Sequence, residues 1–154
     1  MPAWYTTAGI LGLAIVTVLT RGFFLLSDRE IEAIAVREAR SYEEARGWHV
    51  ESTEKDPVSF DLLSTCGAHR RCVEVKGRAG VGDVQLTWSE HAKSIELGNE
   101  YWLYVVLDCA TDQPRLYRVQ NPAQALASAM VPSLDVRYKI GPDSVIGAAA
   151  EETR

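Results

Sequence analysis

The sequence predicts an α/β layered domain whose elements follow the order α-β-β-β-α-β, with a helix and a strand added at the C-terminal end. Two observations carry this prediction. Ser27 and Thr87 are each followed three residues later by Glu, which is the capping box of a helix start. Between and after these starts lie short segments rich in β-forming residues and separated by Gly and Pro.

The length of the chain limits the number of domains. With 154 residues, one sizeable core can be buried but hardly two. We therefore expect one domain over residues 27–147, preceded by an apolar segment 1–26 and followed by a flexible tail 148–154.

The first helix is predicted to begin after Ser27, which forms a capping box with Glu30, and to end near residue 46, before Gly47. One stripe at helical spacing carries the apolar side chains Ile31, Ile34, Ala35, Tyr42 and Ala45. Glu38 lies within this stripe, and Glu32 lies on its flank. An acid on the apolar side of a helix needs a partner or a function.

Three extended segments follow the first helix, at residues 48–52, 58–63 and 70–76, and turn residues separate them. A second capping box, formed by Thr87 and Glu90, predicts a helix that ends near residue 97.

The second half of the predicted sheet starts with the run 101–107, which is almost continuously apolar, as in a central strand covered on both faces. Residues 115–120 are expected to form a hairpin with it. A short helix over 122–130 and an edge strand over 135–140 complete the prediction.

Charge excludes one class of nucleic-acid binder. The net charge is −5, which argues against a protein that holds nucleic acid by summed positive charge alone. One stretch is nevertheless locally basic, because Arg70, Arg71, Lys76 and Arg78 surround a single acid, Glu74. This stretch is either a solvated strand and turn or a phosphate-facing patch.

The three cysteines indicate a reducing compartment, so a cytoplasmic location is expected. The number of cysteines is odd, and the spacing of Cys66, Cys72 and Cys109 is not that of metal ligands. We therefore predict neither a disulfide framework nor a zinc site. Packing is the predicted role of all three.

The apolar segment 8–26 has nearly the length that spans a bilayer, although Arg21 interrupts it. A membrane anchor, a buried helix and a wrongly assigned start of the chain remain open alternatives. If the segment inserts, Arg21 and Arg29 would keep the following domain on the cytoplasmic side. A cleaved signal peptide is not predicted, since no basic region precedes the run.

The third extended segment carries the candidate chemistry. Glu74 and Lys76 are two residues apart on a strand and so share one face, and Asp61 on the neighbouring strand could face the same space. Two carboxylates and the main-chain carbonyl of Val75 suit Mg²⁺ or Mn²⁺. Lys76 could then orient an attacking water and offset phosphate charge. The alternative is a solvated strand face with a cross-strand ion pair.

The motifs, in their order along the chain, resemble the NO VEIN C-terminal domain family, long catalogued as a domain of unknown function. The resemblance covers about residues 27–140. It rests on the stretches IEAIA at 31–35, YE at 42–43, SFD at 59–61, VEVKGR at 73–78, LT at 86–87 with Glu90, and YWLYVV at 101–106.

This resemblance implies a restriction-endonuclease-like fold with a mixed sheet, in a branch of the PD-(D/E)xK nuclease superfamily near the Mrr-like enzymes. Asp61 matches the family's strand acid, Glu74 and Lys76 match its E-x-K, and Glu32 matches its helix acid, with Glu38 as second choice. Ser59 stands where family members commonly have Gly.

Three functions follow as hypotheses. The first is a Mg²⁺-dependent nuclease acting on DNA in defence, restriction or repair, with Arg70, Arg71 and Arg78 near the phosphates. The second is a non-catalytic nucleic-acid or protein-interaction module that keeps the fold. The third is a membrane-tethered accessory subunit. Family members are often joined to helicases and restriction-system proteins, so such partners are expected beside DNA, and a homodimer would allow both strands to be cut.

Overall fold

The computed structural model describes residues 26–53 and 59–133, which form a five-stranded sheet with helices. The elements in chain order are α1 (Asp28–Glu44), β1 (His49–Ser52), β2 (Leu62–Cys66), β3 (His69–Gly77), α2 (Trp88–Leu97), a single 3-10 turn (Gly98–Glu100), β4 (Tyr101–Leu107), β5 (Arg115–Gln120) and α3 (Pro122–Ala125). The predicted α/β class and the order α-β-β-β-α-β are confirmed, as a restriction-endonuclease-like fold requires.

The strands lie in the order β1-β2-β3-β4-β5, and the sheet is mixed. All neighbours are antiparallel except β3 and β4, which are parallel and pair Glu74 with Leu103. Parallel neighbours need a long connection, and α2 lies within it. The predicted hairpin of β4 and β5 is confirmed.

Local sequence sets both helix starts. Ser27 with Glu30, and Thr87 with Glu90, form the predicted capping boxes, in which each side chain satisfies the other residue's backbone N–H. After α2, Gly98 adopts a φ of 52°, which favours glycine, and the chain turns into β4.

Helix α1 packs against β3 and β4 through most of the predicted stripe, with Ala39 added to it. Ala35 and Ala39 are fully buried against Val73 and Val75. Ile31, Ile34 and Tyr42 pack beside them as predicted, but Ala45 is exposed because it follows the end of the helix.

Gly77 lets α1 approach the end of β3 closely. A Cβ at Gly77 would lie 2.9 Å from the Ala35 Cβ and 3.0 Å from the carbonyl oxygen of Ile31. These distances are shorter than normal van der Waals contact, so only glycine fits here without a shift. The first turns of α1 are thereby held beside the C-terminal end of β3.

Several predicted boundaries were wrong. Strand β2 begins at Leu62 rather than at residue 58, and α3 ends at Ala125 rather than near residue 130. Cys72 and Cys109 are buried as predicted, but Cys66 is exposed at the end of its strand.

Other predictions fall outside the described residues, namely the segment 8–26, the strand 135–140 and the tail 148–154. Within the described part of the chain, no helix combines the length and the apolar character needed to cross a membrane.

Candidate active site

A cleft of about 640 Å³ opens at the C-terminal end of β3. The beginning of α1, the loop after β3 and the first turn of α2 surround it. Its lining residues are Asp28, Ile31, Glu32, Asp61, residues 74–82 and Glu90. All four predicted catalytic residues, Glu32, Asp61, Glu74 and Lys76, therefore meet in one cleft.

Asp61 lies immediately before β2, where backbone bonds fix it on both sides. Its N–H donates to the carbonyl of Val73 at 3.0 Å, and its carbonyl accepts from the N–H of Thr53 at 2.9 Å. Its carboxylate accepts from the N–H of Val75 at 2.7 Å. The registered pairing of β2 and β3 ends at Leu62 and Val73. Beyond that pair, the Asp61 carboxylate accepts the N–H of Val75 in place of a backbone carbonyl of β2.

The turn that delivers Asp61 is held from two sides. The hydroxyl of Tyr101 donates to the carbonyl of Ser59 at 3.1 Å, and the hydroxyl of Thr53 donates to the carbonyl of Phe60. Ser59 has a φ of 61°, in the left-handed region that favours glycine, which gives a physical reason for Gly at this position in similar sequences.

Glu74 is almost completely buried, with 3% of its surface exposed. Burial raises the pKa of its carboxyl from 4.5 to about 8, and the nearby charge of Asp61 adds to the rise. Burial also raises the pKa of Asp61, although its bond from Val75 opposes the rise. Two carboxyl groups that both resist ionisation therefore share the cleft.

Lys76 bridges two acids in the same cleft. Its Nζ lies 2.5 Å from Oε1 of Glu74 and 2.9 Å from Oε2 of Glu90. Burial alone would lower the pKa of Lys76, but the bonds and charges of these two carboxylates outweigh it and raise the pKa above 10.5. The ammonium therefore stays charged.

The structure places Glu32, rather than Glu38, beside the other acids. Glu32 lines the cleft, and its charge is one of the causes that raise the pKa of Asp61. Glu38 does not line the cleft and instead contacts Arg37 at 3.5 Å. The motif match thus placed the helix acid better than the helical periodicity did.

The three predicted phosphate-binding arginines separate. Arg78 lines the cleft, and its Nε donates to the carbonyl of Asp83. Arg70 pairs with Glu100 at 2.6 Å and does not line the cleft. Of the three, only Arg78 lines the cleft, and the phosphate-binding role of the three arginines stays a prediction.

Arg71 lies on the opposite face of the sheet and supports α1. Its Nη1 lies 2.8 and 2.9 Å from the two carboxylate oxygens of Glu43, whose side chain is fully buried. The guanidinium also packs over Trp48 at 3.8 Å, and the hydroxyl of Tyr104 donates to Glu43. Arg71 compensates a buried charge, a role that its assignment from the local excess of positive charge missed.

Glu90 is a site residue that the sequence analysis did not assign. It was named as the Glu of the second capping box and as part of a family motif, without a role in the site, and its Oε2 does accept the N–H of Thr87 at 2.8 Å. Burial alone would raise the pKa of Glu90, but the bonds from Thr87 and Lys76 outweigh it and lower the pKa. Lys76 and the start of this helix lie close together along the chain, and this spacing was the available indication that Glu90 belongs to the site.

The donor atoms fit a hard divalent cation. Asp61 and Glu74 offer carboxylate oxygens on one face of the sheet. The N–H of Val75 points toward Asp61, and because the N–H and C=O of a strand residue point to the same side, its carbonyl faces that side too. Oxygen donors of this kind suit Mg²⁺ or Mn²⁺, which keep waters in their shell. Among residues 26–53 and 59–133, no three His, Cys, Asp or Glu side chains are arranged to hold a metal together. The candidate ligand set is therefore limited to two carboxylates and one backbone carbonyl.

Comparison with known proteins gives one match. The family described as Protein NO VEIN, C-terminal, matches residues 31–119, more than half of the 154-residue chain. The match includes all of the predicted catalytic residues and Glu90. Searches of curated proteins and of solved structures found no match.

Proposed function

This chain belongs to the NO VEIN C-terminal family, and from that premise we propose that its domain is a Mg²⁺-dependent nuclease that hydrolyses phosphodiester bonds of DNA. The observation that carries the proposal is the convergence of Asp61, Glu74 and Lys76 in one cleft. Family membership alone does not assign the activity, so the argument depends on the chemistry of these side chains.

The free-energy cost of burying two acids in the cleft supports the binding of a cation. A carboxylate pair that is buried and whose pKa values are raised costs free energy unless a positive charge compensates it. Among the described residues, Lys76 is the ammonium paired with Glu74, and its charge lowers the pKa of Asp61 by less than burial raises it. A divalent cation held by Asp61, Glu74 and the carbonyl of Val75 would compensate both acids.

Each side chain then has a role in hydrolysis. When bound, the cation would polarise the scissile phosphate and supply an activated water. Lys76, whose ammonium remains charged, would orient the water by hydrogen bonding and offset the charge that develops on the phosphate. Glu32 would accept a hydrogen bond at the cleft rim, and Arg78 would bind a neighbouring phosphate.

The test is cleavage of plasmid and single-stranded DNA by the full chain with Mg²⁺ or Mn²⁺. Asp61→Ala and Lys76→Ala should each lower the rate by about 100-fold or more, since each removes a group that acts on the transition state. Asp112→Ala and Lys93→Ala are matched controls, because Asp112 is exposed and Lys93 pairs with Glu96 outside the cleft. A folded wild-type chain that cuts no substrate would refute the proposal.

A second function has one observation in its favour. Lys76 is already paired with Glu74 and Glu90, as in an ion network that stabilises a binding module. In that case the chain would bind DNA without cutting it, and Lys76→Ala would lower stability but leave DNA affinity unchanged. The same set of variants therefore separates the two functions.

A further inference from the structure

The Lys76 ammonium pairs with a carboxylate oxygen of Glu74, the same carboxylate that the proposed cation would use. Its Nζ lies 2.5 Å from Oε1 of Glu74, which is a direct ion pair inside a cleft where Lys76 is only 22% exposed. A divalent cation on Glu74 would meet this ammonium on the same carboxylate. Like charges at such a separation repel strongly in a partly buried site.

Glu90 offers the ammonium a second partner that is already in place. Its Oε2 lies 2.9 Å from Nζ, so the ammonium can leave Glu74 without losing its ion pair. We propose that Lys76 acts as a built-in competitor for the cation site at Glu74, and that Glu90 is the positioning residue that retains the ammonium when a divalent cation displaces it. This inference rests on the proposed metal-dependent function.

The fixed position of Glu90 supports this role. The same Oε2 accepts the backbone N–H of Thr87 at 2.8 Å, and the hydroxyl of Thr87 accepts the N–H of Glu90 at 3.3 Å. These reciprocal bonds anchor the carboxylate to the first turn of α2, where the helix dipole favours a negative charge. Glu90 therefore stays charged and stationary while the partner of Lys76 changes.

Binding of Mn²⁺ to the full chain tests the proposal without reference to cleavage, and calorimetry measures it. Lys76→Met, which removes the competing ammonium but keeps the side-chain length, should tighten Mn²⁺ binding by about tenfold. Glu90→Gln should weaken binding by roughly fivefold, since Lys76 would then depend on Glu74 alone. Glu96→Gln is the matched control, because Glu96 pairs with Lys93 at 2.7 Å on the same helix.

The double variant decides whether Glu90 acts through Lys76. In the Lys76→Met background, Glu90→Gln should change Mn²⁺ affinity by less than about twofold, since the ammonium that Glu90 positions is gone. The same loss in both backgrounds would overturn the proposal, because Glu90 would then act on the metal directly. If Lys76→Met does not fold, Lys76→Gln takes its place.

The outcomes also separate this inference from the proposed nuclease. Mn²⁺ binding that shows the expected pattern without any DNA cleavage would refute the nuclease and support the exchange of partners. DNA cleavage by the wild-type chain, together with a Mn²⁺ affinity that Lys76→Met leaves unchanged, would support the nuclease and refute the exchange of partners. Absence of Mn²⁺ binding by both the wild-type chain and Lys76→Met would overturn both.

Discussion

Replacing Asp61 by Asn should stabilise the metal-free protein. Asp61 lies beside Glu74 in the cleft, where burial makes the charged form of its carboxyl costly and raises its pKa. The charge of Asp61 in turn adds to the rise of the Glu74 pKa to about 8. Asn removes this buried charge while Lys76 stays paired with Glu74, so we expect the free energy of unfolding to rise by about 1–2 kcal/mol.

The Asn side chain keeps the local geometry, so the effect of charge can be isolated. Its amide oxygen can still accept the N–H of Val75, which Asp61 holds at 2.7 Å. Asp61→Ala loses both the charge and this acceptor, and should be less stable than Asp61→Asn by about 1–3 kcal/mol. Asp112→Asn, on the exposed surface, should change stability little.

The dependence on pH follows from the raised pKa of Asp61. Because the folded pKa lies above the usual 3.8, the contribution of this group is complete at acid pH and is lost as the pH rises through the folded pKa. The advantage of Asp61→Asn should therefore grow as the pH rises through the folded pKa of Asp61 and shrink as the pH falls toward the usual pKa of 3.8. Added Mg²⁺ should stabilise the wild-type chain more than Asp61→Asn, because the variant has lost a ligand charge.

Urea denaturation in the presence of a chelator is the assay. An Asp61→Asn variant that is no more stable than wild type near about pH 7.5 would refute the reasoning, since burial of the Asp61 charge would then carry no significant cost.

Two further perturbations test the packing and the helix acid. Gly77→Ala should lower the free energy of unfolding by about 1–3 kcal/mol, because the new methyl group would lie 2.9 Å from the Ala35 Cβ. Gly80→Ala, where nothing lies within 4 Å, is its control in the same urea titration, and equal losses would contradict the packing argument. Glu32→Gln should slow Mg²⁺-dependent DNA cleavage by about tenfold or more, whereas Glu38→Gln should leave the rate unchanged. The opposite ranking would reassign the helix acid.

The features predicted best from the sequence are encoded within a few neighbouring residues. A capping box requires four consecutive positions, so both helix starts were located to the residue. Alternation along a strand placed Glu74 and Lys76 on one face and Val73 and Val75 on the other. The order of these local features was sufficient to indicate the family.

The features predicted poorly depend on distant parts of the chain. Glu43 is buried because Arg71, 28 residues later, returns to it across the sheet, and no local pattern shows this. The same contact removes Arg71 from any surface patch. The late start of β2 has a different cause, since Ser59 adopts a positive φ and the ladder can begin only after the turn.

The bond from the Val75 N–H to the Asp61 carboxylate also protects the sheet. Strand β3 extends past the last registered residue of β2, so this part of it would otherwise present an unpaired edge inside the cleft. Unpaired strand edges accept strands from other chains and lead to aggregation. A side chain that occupies this donor leaves it unavailable to an added strand, so the residue that is proposed to bind a metal also satisfies a strand-edge donor of β3.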